Sequence, residues 1–354
     1  MLKKLCFQRN VLGPERTVRL VAFELLLVGS PSAFIGSIFT TKSCQWPNIG
    51  SALVIDDVVG IIFVKRFARF IYKAIQTETT AQIDQHRLKP ANVPVRFNDR
   101  PADGVGDSVG LAGVNSINWG RVLAQVVYYF TAAVSLGAPH RDVSFTVPTG
   151  NFGDIFAGYI AKKMGLPIAD LVVATNRNDI LHRTLETGAY TKDGVEPTIS
   201  PSMDIQVSSN FERALFDAYD RDGAAVAGQM DDLKSGGFQI SQGAYQMLKD
   251  MFKSGRASEG ETQAAIKAYH LHHGELLCPH TAVGVHVAEP HLSATPMVTL
   301  ATAHPAKFPD AVKAASGVAA PLPPRMADLY DRPERVTRVK NDLTALQAVI
   351  KERI

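Results

Sequence analysis

The stretch Val143–Gly165, VSFTVPTGNFGDIFAGYIAKKMG, decides the fold. Val143 to Val147 are apolar or β-branched and too few for a helix, so they read as a buried strand. Pro148 to Gly153 is a tight, glycine-punctuated turn, and Asp154 to Met164 carries a helical pattern that Gly165 ends. A second apolar strand, Leu171 to Ala174, follows within a few residues. Strand, short loop, helix and strand in that order imply parallel pairing with a helical crossover. Upstream, Asn115, Ser116 and Asn118 offer capping side chains to the apolar run Trp119 to Leu136, which Gly137 closes. Downstream, Gly243 to Phe252 and Ser258 to His270 read as helices, the latter opened by a capping box of Ser258 with Glu261. Met297 to Ala301 is another short strand. The predicted fold is α/β, an open parallel twisted sheet with flanking helices, and no internal repeat interrupts it.

The 354 residues are 46% hydrophobic and 20% charged, which excludes a disordered or fibrous chain. Charge is unevenly spread. Residues 1–100 hold 14 Lys/Arg against 7 Asp/Glu, and residues 101–354 hold 23 against 27. The text changes near residue 112, so two regions are expected: a basic part over 1–112 and an α/β domain over 113–354. Within the first, Lys65, Arg66, Arg69 and Lys73 alternate with Phe63, Phe67, Phe70, Ile71 and Tyr72 as in a basic amphipathic helix, for which a solvated face is the simpler reading than a membrane surface. Ala52 to Val64 suits a buried strand or helix, and residues 90–110 a linker. Leu20 to Phe39 is long enough to span a bilayer, but Glu24 and the Gly29-Ser30-Pro31-Ser32 run argue against it. Cys6, Cys44 and Cys278 lack the spacing of a disulfide framework or a zinc site, and the amino terminus makes a poor signal peptide. A cytoplasmic protein is expected. Nothing points to nucleic acid.

Three groups could carry chemistry. The turn Gly150-Asn151-Phe152-Gly153 precedes a helix, so its backbone N–H groups meet the positive end of the helix dipole, an arrangement suited to phosphate. Neither a dinucleotide fingerprint nor a P-loop fits it. Asp154 sits awkwardly beside an anion but can cap the helix as a first-turn acid. Asn115, Ser116 and Arg121 form the second group; Arg121, placed about one and a half turns into its helix, could converge with the two neutral donors on an oxyanion. The third is Thr302, just past a predicted strand, where its hydroxyl could bond a ring nitrogen without full charge transfer. His270, His272, His273, His280 and His286 surround Cys278 without recognised zinc spacing, so no metal site is expected.

Taken together, the segments VNSINWGRVLAQVVYYF (114–130), FTVPTGNFGDIFAGYIAKKMGLP (145–167), ATNRNDIL (174–181), ISPSMDIQVSSNFER (199–213), PHTAVGV (279–285) and TAHPAKFP (302–309) resemble threonine synthase. That family comprises pyridoxal phosphate enzymes of fold type II, the tryptophan synthase β-like class. The resemblance runs from about Gly113 to Leu346 and implies part of the large domain of that fold. It implies elimination of phosphate from O-phosphohomoserine and addition of water to give threonine. It further implies that Gly150, Asn151, Phe152, Gly153 and Asp154 cradle the cofactor phosphate, that Thr302 meets the pyridine nitrogen, and that Asn115, Ser116, Arg121 and Asn151 hold the substrate. His280 and Thr281 lie in a family motif without an assigned role.

The match has one departure. Family members carry the Schiff-base lysine upstream, in a Phe-Lys-Asp context followed by a Ser-Gly-Asp-Thr-Gly segment. Neither text occurs before Val114 here. Lys42 and Lys65 are the nearest candidates among the upstream lysines, and Gly106-Asp107-Ser108 only approximates the second segment. The catalytic lysine is therefore unidentified, and two readings stand: a threonine synthase-like enzyme, or an inactive remnant that binds phosphate-bearing ligands.

Overall fold

The computed structural model describes residues 5–6, 18–22, 116–334 and 336–353. The expectations for Ala52 to Val64, for the basic segment Lys65 to Lys73, for the linker over 90–110, for Asn115 and for the candidates Lys42 and Lys65 lie outside the described residues. The described residues divide into two units, one of residues 5–6, 18–22 and 116–320 and one of residues 321–334 and 336–353.

The first unit is built on the expected α/β plan. Helix α1 (Trp119–Ser135) buries Val122, Leu123, Val126, Tyr129, Phe130, Ala132 and Ala133, the apolar face that its three-and-four spacing predicts. Strand β3 (Val143–Pro148) is buried at every position, as suits a central parallel strand covered on both sides. Helix α2 (Gly153–Lys163) returns the chain to strand β4 (Ile168–Thr175), longer at both ends than the apolar core Leu171 to Ala174 suggested. Strand β8 (Met297–Ala301) lies on the other side of β3. The six-stranded sheet runs in the order β1, β2, β8, β3, β4, β7, where β1 is Leu5–Cys6, β2 is Val18–Ala22 and β7 is Lys253–Arg256. All neighbours pair in parallel except β1 with β2. Leu20, the start of the long apolar run of the first region, thus sits in a strand opposite Thr299.

Helix α1 crosses α2 closely at one point, where a Cβ on Gly158 would lie 2.5 Å from the Tyr129 ring. Only glycine fits that crossing, so the aromatic ring packs directly on α2 backbone. Between β4 and β7 the chain forms helices α3 (Ile180–Thr187), α4 (Phe211–Ala218), α5 (Gly223–Lys234) and α6 (Gln242–Met251) and a two-stranded antiparallel ribbon of β5 (Ala189–Thr191) with β6 (Gly237–Gln239). Helix α7 (Glu259–His273) starts at the expected Ser258–Glu261 capping box. Helix α8 (Pro279–Ala288) then leads to β8, and α9 (Pro309–Ser316) follows it.

In the second unit, residues 321–334 and 336–353 form two short 3-10 turns and helix α10 (Leu343–Lys351). Asp342 caps α10 by accepting from the Ala345 N–H at 2.8 Å. No helix among the described residues is long and apolar enough to cross a membrane.

Candidate active site

The site forms where β3 ends and α2 begins. The Thr149 hydroxyl donates to the Val147 carbonyl at 2.6 Å and its N–H to the Ala174 carbonyl at 2.8 Å, which fixes the chain as it leaves the sheet. Phe152 then takes a left-handed conformation, φ 62°, costly for a residue with a β-carbon. Core packing holds it there: its ring stands edge-on to Phe211 and to Phe252, each 5.2 Å away. Because the residue preceding α2 is a phenylalanine, no side-chain oxygen caps the helix. The first-turn N–H groups of α2 therefore open at the positive end of the dipole.

The loop has little freedom. A Cβ on Gly150 would stand 2.6 Å from the Ser202 carbonyl oxygen. Asn210, fully buried, donates through Nδ2 to the carbonyls of Ser116 at 2.8 Å and Asn151 at 2.9 Å, tying the loop to the start of α1. Its Oδ1 accepts from Arg213 Nε at 3.0 Å, and Arg213 also donates to the Ile117 carbonyl at 2.9 Å while its guanidinium lies over the Trp119 ring. The Ser208 hydroxyl donates to the Gly150 carbonyl at 2.6 Å. The Asn151 side chain donates to Ser116 Oγ at 3.3 Å and accepts from Ser209 Oγ at 3.3 Å.

These elements enclose a cavity of about 340 Å³. Ser116, Arg121, the whole loop Gly150–Asp154 and Thr302 line it, so residues from three separate predicted groups meet in one place. Asn115 lies outside the described residues. Two local expectations change. The cap of α1 is Asn118, which accepts from the Gly120 N–H at 2.8 Å, so Ser116 faces the cavity instead of capping. Arg121 is consequently the third residue of α1, in its first turn, and not one and a half turns in. Asp154 does not cap α2: its Oδ1 is buried and has no hydrogen-bond partner among the described residues. Burial pushes its carboxyl up to about 7, against a downward pull from the Tyr129 hydroxyl.

Sequence reasoning missed part of the wall. Gln125 and Tyr128 follow Arg121 at four and seven residues and share its face of α1, a polar stripe on an apolar helix that helical spacing alone makes legible. Ser202, Met203 and His280 complete the lining. His280 accepts from the Ser202 N–H through Nε2 at 3.1 Å and packs on the Phe308 ring at 4.8 Å. Burial, reinforced by the Lys307 charge and opposed by Asp204, depresses it to about 4, so it is neutral. Cys278 caps α8 by accepting from the Thr281 N–H. Among the described residues no cluster of His, Cys, Asp and Glu is arranged to hold a metal ion.

The cradle suits pyridoxal phosphate by its donor set: an uncapped helix start, a glycine with no room for a β-carbon, and a hydroxyl at the end of β8 on the same cavity. A family profile described as "Threonine synthase, C-terminal" matches residues 281–350. Threonine synthase from Pseudomonas aeruginosa is 53% identical over 246 residues, which cover 68% of this chain and 52% of that protein. The crystal structure of threonine synthase from Brucella melitensis with bound pyridoxal phosphate superposes with a TM-score of 0.69 at 58% identity, covering 72% of this chain and 55% of that one. The yeast threonine synthase structure gives a TM-score of 0.62 at 39% identity over 68% of this chain and 53% of the other. The chain spans about half the length of the relatives it matches. Their fold is the pyridoxal phosphate fold type II that the resemblance implies. Over about two thirds of its length this chain is similar to threonine synthases, and its residues 281–350 match the C-terminal model of that family.

Proposed function

We propose that the protein acts in a threonine synthase-like reaction, converting O-phosphohomoserine and water to threonine and phosphate with pyridoxal phosphate, in the cytoplasm. One observation carries the reading: Ser116, Arg121, Gly150 to Asp154 and Thr302, far apart in sequence, line a single cavity. Pyridoxal phosphate, when bound, supplies the electron sink for carbanion chemistry. In this reading the N–H groups of the Gly150–Asp154 turn bind its phosphate at the α2 dipole, and the Thr302 hydroxyl orients its ring nitrogen. Arg121 offers the substrate phosphate a charged donor on the cavity that Ser116 and Asn151 also line, and Asn115 is assigned to the substrate by the resemblance alone. Neutral His280 and the Gly150–Ser202 contact keep the far wall fixed while these groups engage.

The second reading, a phosphate-ligand-binding remnant without catalysis, rests on the sequence, in which no Phe-Lys-Asp text precedes Val114. Incubation of the purified chain with pyridoxal phosphate, borohydride reduction and peptide mapping separates the two. A labelled lysine, together with phosphate release from O-phosphohomoserine, supports the enzyme. Saturable pyridoxal phosphate binding with no labelled lysine and no phosphate release overturns it in favour of the remnant.

A further inference from the structure

The phosphate loop contains a carboxyl group where an anion would sit. Asp154 is the second residue of α2 and lines the cavity beside the backbone N–H groups of the same turn. Its Oδ1 is buried with no hydrogen-bond partner, and it makes no ion pair among the described residues. The Tyr129 hydroxyl, packed against it, donates to the Asp154 carbonyl oxygen at 2.7 Å and also pulls the carboxyl down. A carboxylate left in that position would lose part of its hydration, with only the Tyr129 hydroxyl to offset the loss, and would repel any phosphate drawn to the helix start. A carboxylic acid would do neither, and would present an O–H where the loop otherwise presents only N–H donors.

Building on the phosphate-loop reading above, we propose that Asp154 meets the anion as a neutral acid and donates a hydrogen bond to it, so that a phosphate group binds this loop together with one proton. The neighbouring groups allow this. From α1, Arg121 and Tyr128 line the same cavity, and Tyr129 donates to the Asp154 carbonyl. From α4, Glu212 is itself pushed up by burial, and Arg213 is engaged by Asn210 and the Ile117 carbonyl. From α8, His280 is uncharged near neutral pH. At the far end of α2, Lys163 pairs with Asp217 at 2.9 Å. Burial raises the Asp154 carboxyl to about 7, so the proton is available at neutral pH and scarce above it.

Sulfate is the probe of choice because its charge does not change across this range, whereas phosphate titrates. Calorimetric titration of the full chain with sulfate at pH 5.5 to 8.5, in pairs of buffers of different ionisation enthalpy, reads affinity and proton uptake together. The expected result is constant affinity below about pH 7, a fall of about tenfold per pH unit above it, and uptake of about one proton per sulfate at pH 8. Asp154→Asn keeps an N–H donor in place and should bind sulfate with neither the slope nor the uptake. Sulfate binding to the unmodified chain without slope or proton uptake overturns the proposal while leaving the phosphate loop intact, and this arm needs no variant to fold. Slope and uptake that persist in a folded Asp154→Asn variant assign the proton elsewhere and also overturn it. Binding of neither sulfate nor phosphate at any pH removes the phosphate-loop reading itself, and the proposal with it.

Discussion

A methyl group on Gly150 would stand 2.6 Å from the carbonyl oxygen of Ser202, the segment that forms the opposite wall of the cavity. The obstacle is backbone, which cannot rotate aside as a side-chain tip could. Gly150→Ala must therefore push the turn and the 201–203 segment apart. The expected cost is about 2–3 kcal/mol of stability, read as a lower urea midpoint with unchanged slope. Sulfate affinity should fall at least tenfold, because the turn that presents the N–H groups moves.

Asn210 is the second hinge of the site. It bridges the Ser116 and Asn151 carbonyls with one amide group and orients Arg213 with the other end. Asn210→Ala removes the side-chain donor from the Ser116 carbonyl and the acceptor from Arg213 Nε, while the Asn151 carbonyl keeps the residue-210 N–H, which should cost about 1–3 kcal/mol. Asn210→Asp is the sharper test. Of similar shape, it places a carboxylate oxygen against two carbonyl oxygens, so it should destabilise at least as much as alanine at pH 8 and recover in part near pH 5. Thermal unfolding at the two pH values reads this directly.

The contrast between Gly150 and Asn210 shows which parts of the site are legible in the sequence. Strand β3, the Gly150–Gly153 turn and α2 are contiguous, and their local signals agree, so the amino-acid pattern by itself reveals the turn and its place between strand and helix. The stripe of Arg121, Gln125 and Tyr128 is legible too, through helical spacing. The clasp is not. Asn210 touches residues 59 and 94 positions away, and Ser208 reaches Gly150 across 58, distances over which no local pattern operates. The cap of α1 goes to Asn118 over Ser116 for a similar reason: Ser116 is held by Asn210 and Asn151. The β5–β6 ribbon, three residues per strand, is too short for an alternating pattern to register.

His280 sets an acid limit on the cavity. Its pKa falls from an ordinary 6.5 to about 4, so the folded state holds fewer protons than the unfolded chain between those values. Stability is then unaffected above pH 6.5 and declines as pH falls below it, by about 2 kcal/mol at pH 5. His280→Gln keeps an acceptor near the Nε2 position for the Ser202 N–H and cannot be protonated. It should lose a little stability at pH 7.5 yet become the more stable protein at pH 5. Parallel loss in both proteins from pH 7.5 to 5 would show that the acid sensitivity arises elsewhere.

Asp204 secures the wall on which His280 leans. Its Oδ1 accepts from Asn176 Nδ2 at 2.7 Å, Asn178 Nδ2 at 2.9 Å and Thr198 Oγ1 at 2.7 Å, and its Oδ2 accepts from the Thr198 N–H at 2.8 Å. Four donors converge on one carboxylate, and these bonds hold the segment carrying Ser202 and Met203 against the end of β4. Asp204→Asn replaces one acceptor oxygen by an NH₂ group that must face a donor. Whichever way the amide turns, at least one bond becomes a clash of donors, an effect of about 2–4 kcal/mol in a partly buried charged network. The consequence should reach the cavity as well as the fold: a lower melting temperature with weaker sulfate binding. Unchanged sulfate affinity in a destabilised variant would separate the network from the site and confine its role to folding.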